Sequence, residues 1–73
     1  MPLSMAPFNT KLIVAGFRGG FGMQRRLADL GINIGMKISV LTPHRHGPLV
    51  VVMKGSRFAI GRGLAHHILV RPL

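Results

Sequence analysis

The 73 residues carry ten lysines and arginines against a single acidic residue, Asp29, for a formal net charge of +9 at pH 7. The absence of cysteine excludes disulfide frameworks, zinc ribbons and thiol redox motifs, and a lone carboxylate excludes catalysis by paired carboxylates. A chain of this length buries a small core, so we expect residues 1–73 to form a single domain. The net charge indicates an anionic partner and gives no information about the fold.

The first predicted element is a strand. The segment KLIVAGF, Lys11–Phe17, is rich in β-branched residues and is followed by glycines 19, 20 and 22. These glycines imitate the start of a dinucleotide-binding loop, but the third glycine of that pattern and its βαβ context are missing. We interpret them as a strand-to-helix corner, where glycine permits a positive φ.

A short helix is predicted next, over Phe21–Leu30. Its apolar residues recur at i, i+4 and i+7, which defines one helical face: Met23, Leu27 and Leu30. Gly31 is the expected helix stop, and Ile32 is placed to fold back onto the last turn. The prediction is therefore a helix whose Met23, Leu27, Leu30 and Ile32 face the core.

The second half of the chain predicts four more strands separated by glycine turns. They are the segments 36–41, 49–54, 57–60 and 68–71, with one helical turn at 64–67. Glycine-punctuated short strands are typical of a barrel with tight corners. The predicted fold is therefore mostly β, a small and partly closed β-barrel of about five strands with one short α-helix.

Two histidines in the loop TPHRHGP are candidate metal ligands. In an extended segment, His44 and His46 point the same way and can chelate a metal. A complete zinc site needs further ligands, and the chain supplies no cysteine and a single carboxylate. We predict neither a resident metal nor any other cofactor. A metal-binding dimer bridged by His44 and His46 stays open as an alternative.

Two longer segments carry a family resemblance. The stretch RRLADLGINIGMKISVL and the stretch GPLVVVMKGSRFAIGRGLAHHILV are similar to the ferrous iron transport protein A family (FeoA). The leading PLSMAPFNTKLIVAGF matches that family more loosely, and where its members have a glycine this chain has Phe8-Asn9. Asparagine adopts the left-handed conformation more readily than most residues, so we expect Asn9 to replace that glycine.

The resemblance implies a fold and a function. The fold is an SH3-like barrel, in agreement with the strand count above. The function is that of a non-enzymatic, cytoplasmic accessory protein in bacterial ferrous iron uptake. Its implied partner is the FeoB membrane transporter, contacted at its cytosolic G-protein domain or its membrane part. The longest apolar runs are far shorter than a membrane helix, so no membrane insertion is expected.

The candidate partner-binding surface consists of the predicted helix and its adjacent corners. Arginines near a helix N-terminus interact unfavourably with the helix dipole. Residues that are unfavourable for the local structure often have a function. We therefore predict that the partner contacts Arg18, Met23, Arg25, Arg26 and Arg62. No specific nucleic acid is expected, since four phenylalanines are few for base stacking. A basic nucleic-acid-binding barrel remains the alternative function, and a weak homodimer stays open.

Overall fold

A computed structural model describes residues 1–41 and 47–73 as one antiparallel sheet with two short helices. In chain order the elements are a 3₁₀ turn (Leu3–Met5), β1 (Lys11–Phe17), α1 (Phe21–Asp29), β2 (Lys37–Val40), β3 (Leu49–Met53), β4 (Ser56–Ile60), α2 (Arg62–Ala65) and β5 (Ile68–Pro72). The mostly β fold and the five strands in this part of the chain confirm the prediction. The helical turn of α2 begins at Arg62, two residues earlier than predicted.

The sheet has the order β4–β3–β2–β1–β5. Strand β1 pairs with β2, Lys11 opposite Ser39, and also with β5, Phe17 opposite Ile68. The register of β1 against β5 shifts between Val14 and Gly16. Such a β-bulge bends the strand and increases its twist, which curls the sheet around its core.

One face of the sheet forms the core. Along β3 the residues alternate between buried and half-buried, as one strand packed against a core requires. The 3₁₀ turn adds Leu3, and α1 adds Leu27, which is fully buried. The remaining core comes mainly from alternate strand positions: Leu12, Val14, Ile38, Val40, Leu49, Val51, Met53, Ile60, Ile68 and Val70.

The C-terminus of α1 corrects one sequence prediction. Gly31 has φ 84°, and its N–H donates to the Ala28 carbonyl at 2.9 Å. The Ile32 N–H donates to the Leu27 carbonyl at 3.0 Å, which completes a Schellman motif. Ile32 is buried as predicted, but Leu30 is 54% exposed, so its assignment to the core face is wrong. The helix ends before Leu30, and the reversing chain lets Ile32 take the core position.

In the described part of the chain, two non-glycine residues adopt a positive φ. Asn9 has φ 56°, as expected where the related family has glycine. Lys54 has φ 52° and Gly55 φ 76°, and together they connect β3 to β4. Positive φ at both central residues is the signature of a type I′ hairpin turn, which favours Asn-Gly over Lys-Gly.

No helix in the described part of the chain is long and apolar enough to cross a membrane.

Candidate partner-binding surface

Arg18 is held by the two histidines that follow α2. Its backbone N–H donates to the His67 carbonyl at 2.8 Å, and His67 Nδ1 donates to the Arg18 carbonyl at 2.9 Å. Its guanidinium Nη1 donates to His66 Nε2 at 3.3 Å. Because arginine has only donors, His66 accepts through Nε2 and carries its proton on Nδ1, 3.4 Å from the Ser4 hydroxyl. These contacts orient the exposed guanidinium of Arg18.

Met23 packs beside this corner because Gly19 has no side chain. Gly19 has φ +111°, and a Cβ built there lies 3.3 Å from Met23 Cβ and 3.1 Å from His67 Nδ1. An L-residue would therefore be both strained and crowded. The corner glycine thus lets α1 approach the histidines, and Met23 lies half-buried against the core. The structure brings Met23 and Arg18 to the same corner.

Arg62 lies one helical turn before His66. The His66 N–H donates to the Arg62 carbonyl at 3.0 Å, so the two residues occupy the same face of that turn. The Nε and Nη2 atoms of Arg62 are buried and find no acceptor within residues 1–41 and 47–73. A buried donor without an acceptor costs free energy, so the guanidinium gains if the Arg62 side chain moves outward to an acceptor. Arg62, His66 and Arg18 therefore form a continuous basic row.

Arg25 and Arg26 lie on different faces of α1. Leu27 marks the face against the core, and Arg25 points about 160° away from it at 100° per residue. Arg26 follows Met23 at i+3 and precedes Leu30 at i+4, so it flanks the Met23 corner. Both arginines are exposed. Arg26 therefore extends the basic row, whereas Arg25 projects from the outer side of the helix.

Several residues of this surface are absent from the sequence prediction. Phe21 is 83% exposed and lies one turn before Arg25, and the exposed Leu30 lies one turn after Arg26. His66 and His67 join the surface through their contacts with Arg18. Exposed apolar side chains beside arginines are typical of protein interfaces. The helical repeat of α1 could have identified Phe21 as exposed from the sequence. The histidine contacts could not be found in this way, because they depend on tertiary structure.

The candidate metal ligands His44 and His46 lie outside the described residues, so the metal hypothesis stays a prediction. Within residues 1–41 and 47–73, no three His, Asp or Glu side chains come together in a way that holds a metal ion. His66 and His67 are neighbours whose rings meet edge to face at 6.2 Å between centroids, and both are engaged with Arg18.

Comparison with known proteins places this geometry in a family. Residues 1–72 match the FeoA domain. The chain is 44% identical over 69 residues to the "Putative Fe(2+) transport protein A" of Methanocaldococcus jannaschii, covering 94% of this chain and 83% of the relative. A crystal structure of an iron uptake regulatory protein (FeoA) superposes with a TM-score of 0.88 at 40% identity, covering 100% of this chain and 97% of the other.

The zinc complex of Stenotrophomonas maltophilia FeoA, described as an SH3 domain protein, is 28% identical to this chain. It superposes with a TM-score of 0.79 and covers 97% of this chain and 89% of that protein. The fold is therefore SH3-like, as the family resemblance implies. With a domain match over nearly its whole length and a relative above 40% identity, the chain belongs to the FeoA family.

Proposed function

We propose that this chain is a non-enzymatic accessory protein of ferrous iron uptake that docks on the cytosolic part of the FeoB transporter. The relatives named for Fe(2+) transport and iron uptake regulation support the iron-uptake role. We further propose that it acts in the cytoplasm and that its partner there is FeoB. The contact residues are the predicted set: Arg18, Met23, Arg25, Arg26 and Arg62.

The observation that carries the docking proposal is the basic row beside exposed apolar side chains. Arg18 is oriented by His66, and the buried donors of Arg62 lack acceptors within residues 1–41 and 47–73. Phe21 and Leu30 add apolar area next to Arg25 and Arg26. A partner with an acidic or carbonyl-rich segment and an apolar anchor complements such a surface. Arginine is suited to this role because its planar fork pairs bidentately with carboxylates.

A non-enzymatic role agrees with the chemistry of this surface. Its polar groups are arginines and two histidines, and the histidines are engaged in positioning Arg18. The sole carboxylate of the chain, Asp29, is exposed at the end of α1. A regulator needs no reacting group of its own, and a docking surface needs orientation and complementarity, which the histidine contacts supply.

The proposal is tested by charge reversal on α1. The double variant R25E/R26E is titrated by calorimetry with the cytosolic part of FeoB, and with the solubilised full transporter. We expect its affinity to fall at least tenfold, because two attractive charge contacts become repulsive. The matched control is R57E/R71E, which makes the same charge change on exposed arginines of β4 and β5. Equal losses of affinity in both variants would show that binding depends on net charge alone, and would contradict docking through this surface.

A parallel titration with random-sequence DNA separates the alternative function. Nonspecific binding to DNA falls steeply with salt, because it releases counterions from the phosphates. Docking on FeoB through oriented arginines and apolar anchors depends less on salt. Saturable DNA binding that resists salt and is lost in R25E/R26E would assign the surface to nucleic acid.

A further inference from the structure

All three lysines of the chain line one cavity of about 400 Å³ on the sheet. Lys11 begins β1, Lys37 begins β2, and Lys54 lies in the turn after β3. The rest of the lining consists of Ser39, Val52, Gly55 and Leu73, together with Leu12 and Ile38, whose side chains are buried in the core on the other face of the sheet. We call this cavity the lysine pocket. It shares no residue with the proposed FeoB-docking surface, so the inference below does not depend on that function.

Strand register explains why the lysines meet. Lys11 lies opposite Ser39, and Ser39 lies opposite Val52, so these three side chains share one face of the sheet. Lys37 lies two residues before Ser39 and therefore points to the same face. This face is the one turned away from the core. The three cations thus rim a pocket whose walls are largely apolar.

No acidic side chain lines the pocket. Asp29 is the one acidic side chain of the sequence, and it does not line the pocket. Like charges gathered around an apolar cavity repel one another, and an anionic ligand relieves that repulsion. The volume lies within the range of binding pockets in proteins, roughly 300–1,000 Å³. The pocket therefore has the size and the charge of a site for an anion.

Lys54 adopts a conformation that is unfavourable for lysine, which indicates that its side chain has a function. It adopts a left-handed φ of 52° in a turn position where asparagine is favoured. Its Nζ lies 3.9 Å from the position of a Cβ built on Gly31, just after α1. The Lys54 ammonium either interacts favourably with the C-terminal end of the helix dipole of α1 or binds a ligand in the pocket. These two roles differ in what replacement of Lys54 does to stability.

We propose that the lysine pocket binds an acidic peptide segment of a protein partner. Carboxylates of the peptide meet the three ammonium groups, and an apolar side chain fills the space between them. Charge complementarity and the mostly apolar walls favour this occupant over a free phosphate. Among residues 1–41 and 47–73, no aromatic residue or arginine lines the pocket, so this lining offers a nucleic acid neither a stacking platform nor a guanidinium fork.

The test is an NMR titration of the full chain with a capped synthetic peptide in which glutamates flank one leucine. We expect saturable shifts centred on Lys11, Lys37 and Lys54. The triple variant K11Q/K37Q/K54Q should bind about tenfold more weakly, as expected for the loss of three exposed charge pairs. The control R71Q removes one charge from β5, outside the pocket lining, and should bind within about twofold of the parent.

Two comparison peptides, one oligonucleotide and inorganic phosphate complete the test. Replacing glutamate with glutamine should weaken binding at least tenfold, because it removes the same charge pairs, and replacing leucine with glycine should weaken it several-fold. The proposal is overturned if the triple variant binds the glutamate peptide as tightly as the parent. It is also overturned if a thymidine oligonucleotide or inorganic phosphate shifts the same residues at lower concentration than the peptide.

The single variant K54N separates binding from folding. Asparagine suits the left-handed turn position, so the denaturation midpoint should stay the same or rise. Peptide affinity should fall about twofold to fivefold, the range for one exposed ion pair. A lower midpoint with unchanged affinity would assign Lys54 to the end of α1 and remove it from the pocket.

Discussion

Two groups of basic residues in the described part of this chain differ in how they are held. On the helix side, Arg18 is oriented by His66 and Arg62 packs with two of its donors buried. In the lysine pocket, the cations are brought together by strand register and by one turn. The first region presents planar guanidinium forks in fixed positions, and the second presents flexible point charges around apolar walls.

This difference shows that net charge alone does not identify a partner. A value of +9 suggests general attraction to polyanions. The structure instead places one group of arginines on the helix side, Arg18, Arg25, Arg26 and Arg62, and the three lysines around the pocket, and each group lies beside apolar residues. Oriented arginines beside Phe21 and Leu30 suit a folded or helical partner surface. Lysines around a pocket suit a short acidic segment. The following predictions separate the two regions, beginning with the largest expected effect.

Leu27→Ala should destabilise the whole domain and therefore affect both regions. Leu27 is fully buried and anchors α1 to the core, so its truncation leaves a cavity. We expect the free energy of unfolding to fall by about 2–5 kcal/mol, measured by urea denaturation. The matched control is Leu30→Ala on the same helix, which should change stability by less than about 0.5 kcal/mol because Leu30 is exposed. Equal losses would contradict the observed end of α1.

Gly19→Ala should damage the arginine side alone. The new Cβ meets Met23 and His67 at a backbone φ of +111°. We expect a loss of about 1–3 kcal/mol in unfolding free energy, with NMR shifts concentrated at Arg18 and Met23. The control Gly22→Ala, inside α1 and with open space around it, should instead stabilise by about 0.5–1 kcal/mol. A Gly19→Ala variant as stable as the parent would show that the corner adjusts freely.

Lys54→Asn should act on the lysine side and in the opposite direction. The left-handed φ of 52° disfavours lysine, and asparagine tolerates it. We expect the free energy of unfolding to stay the same or to rise by up to about 1 kcal/mol in urea denaturation. The control Lys37→Asn lies within β2, where asparagine is unfavourable, and should give no increase.

His66→Ala should have the smallest effect on stability. Its contacts to Arg18 and Ser4 are exposed and measure 3.3 and 3.4 Å, so we expect a change below about 0.5 kcal/mol. The Arg18 side chain should nonetheless become more mobile in ¹⁵N relaxation at its Nε. His67→Ala, which removes the 2.9 Å bond to the Arg18 carbonyl, should cost about 1 kcal/mol. Unchanged Arg18 mobility in His66→Ala would show that His66 does not orient it.

Local patterns predicted the strands well. The β-branched run of β1 and the alternation of β2 identified both elements, because side-chain period and propensity act within a few residues. The residues at the end of α1 were predicted correctly only in part. Gly31 and Ile32 behave as expected, whereas Leu30 faces solvent because the Schellman reversal assigns the core position to Ile32.

Features that depend on distant pairing could not be predicted in this way. Lys11, Lys37 and Lys54 are far apart in sequence, and only the register of β1, β2 and β3 makes them neighbours. The contacts of Arg18 with His66 and His67 join the end of β1 to the residues after α2. Neither arrangement leaves a periodic signal, because strand partners are chosen by the packing of the whole core.

The most direct test of the docking account is an NMR titration of the labelled chain with the cytosolic part of FeoB, followed by the solubilised transporter. We predict saturable shifts at Arg18, Met23, Arg25, Arg26 and Arg62, with smaller changes in the lysine pocket. Saturable shifts confined to the lysine pocket, or no shifts with either form of the transporter, would contradict docking through the arginine surface.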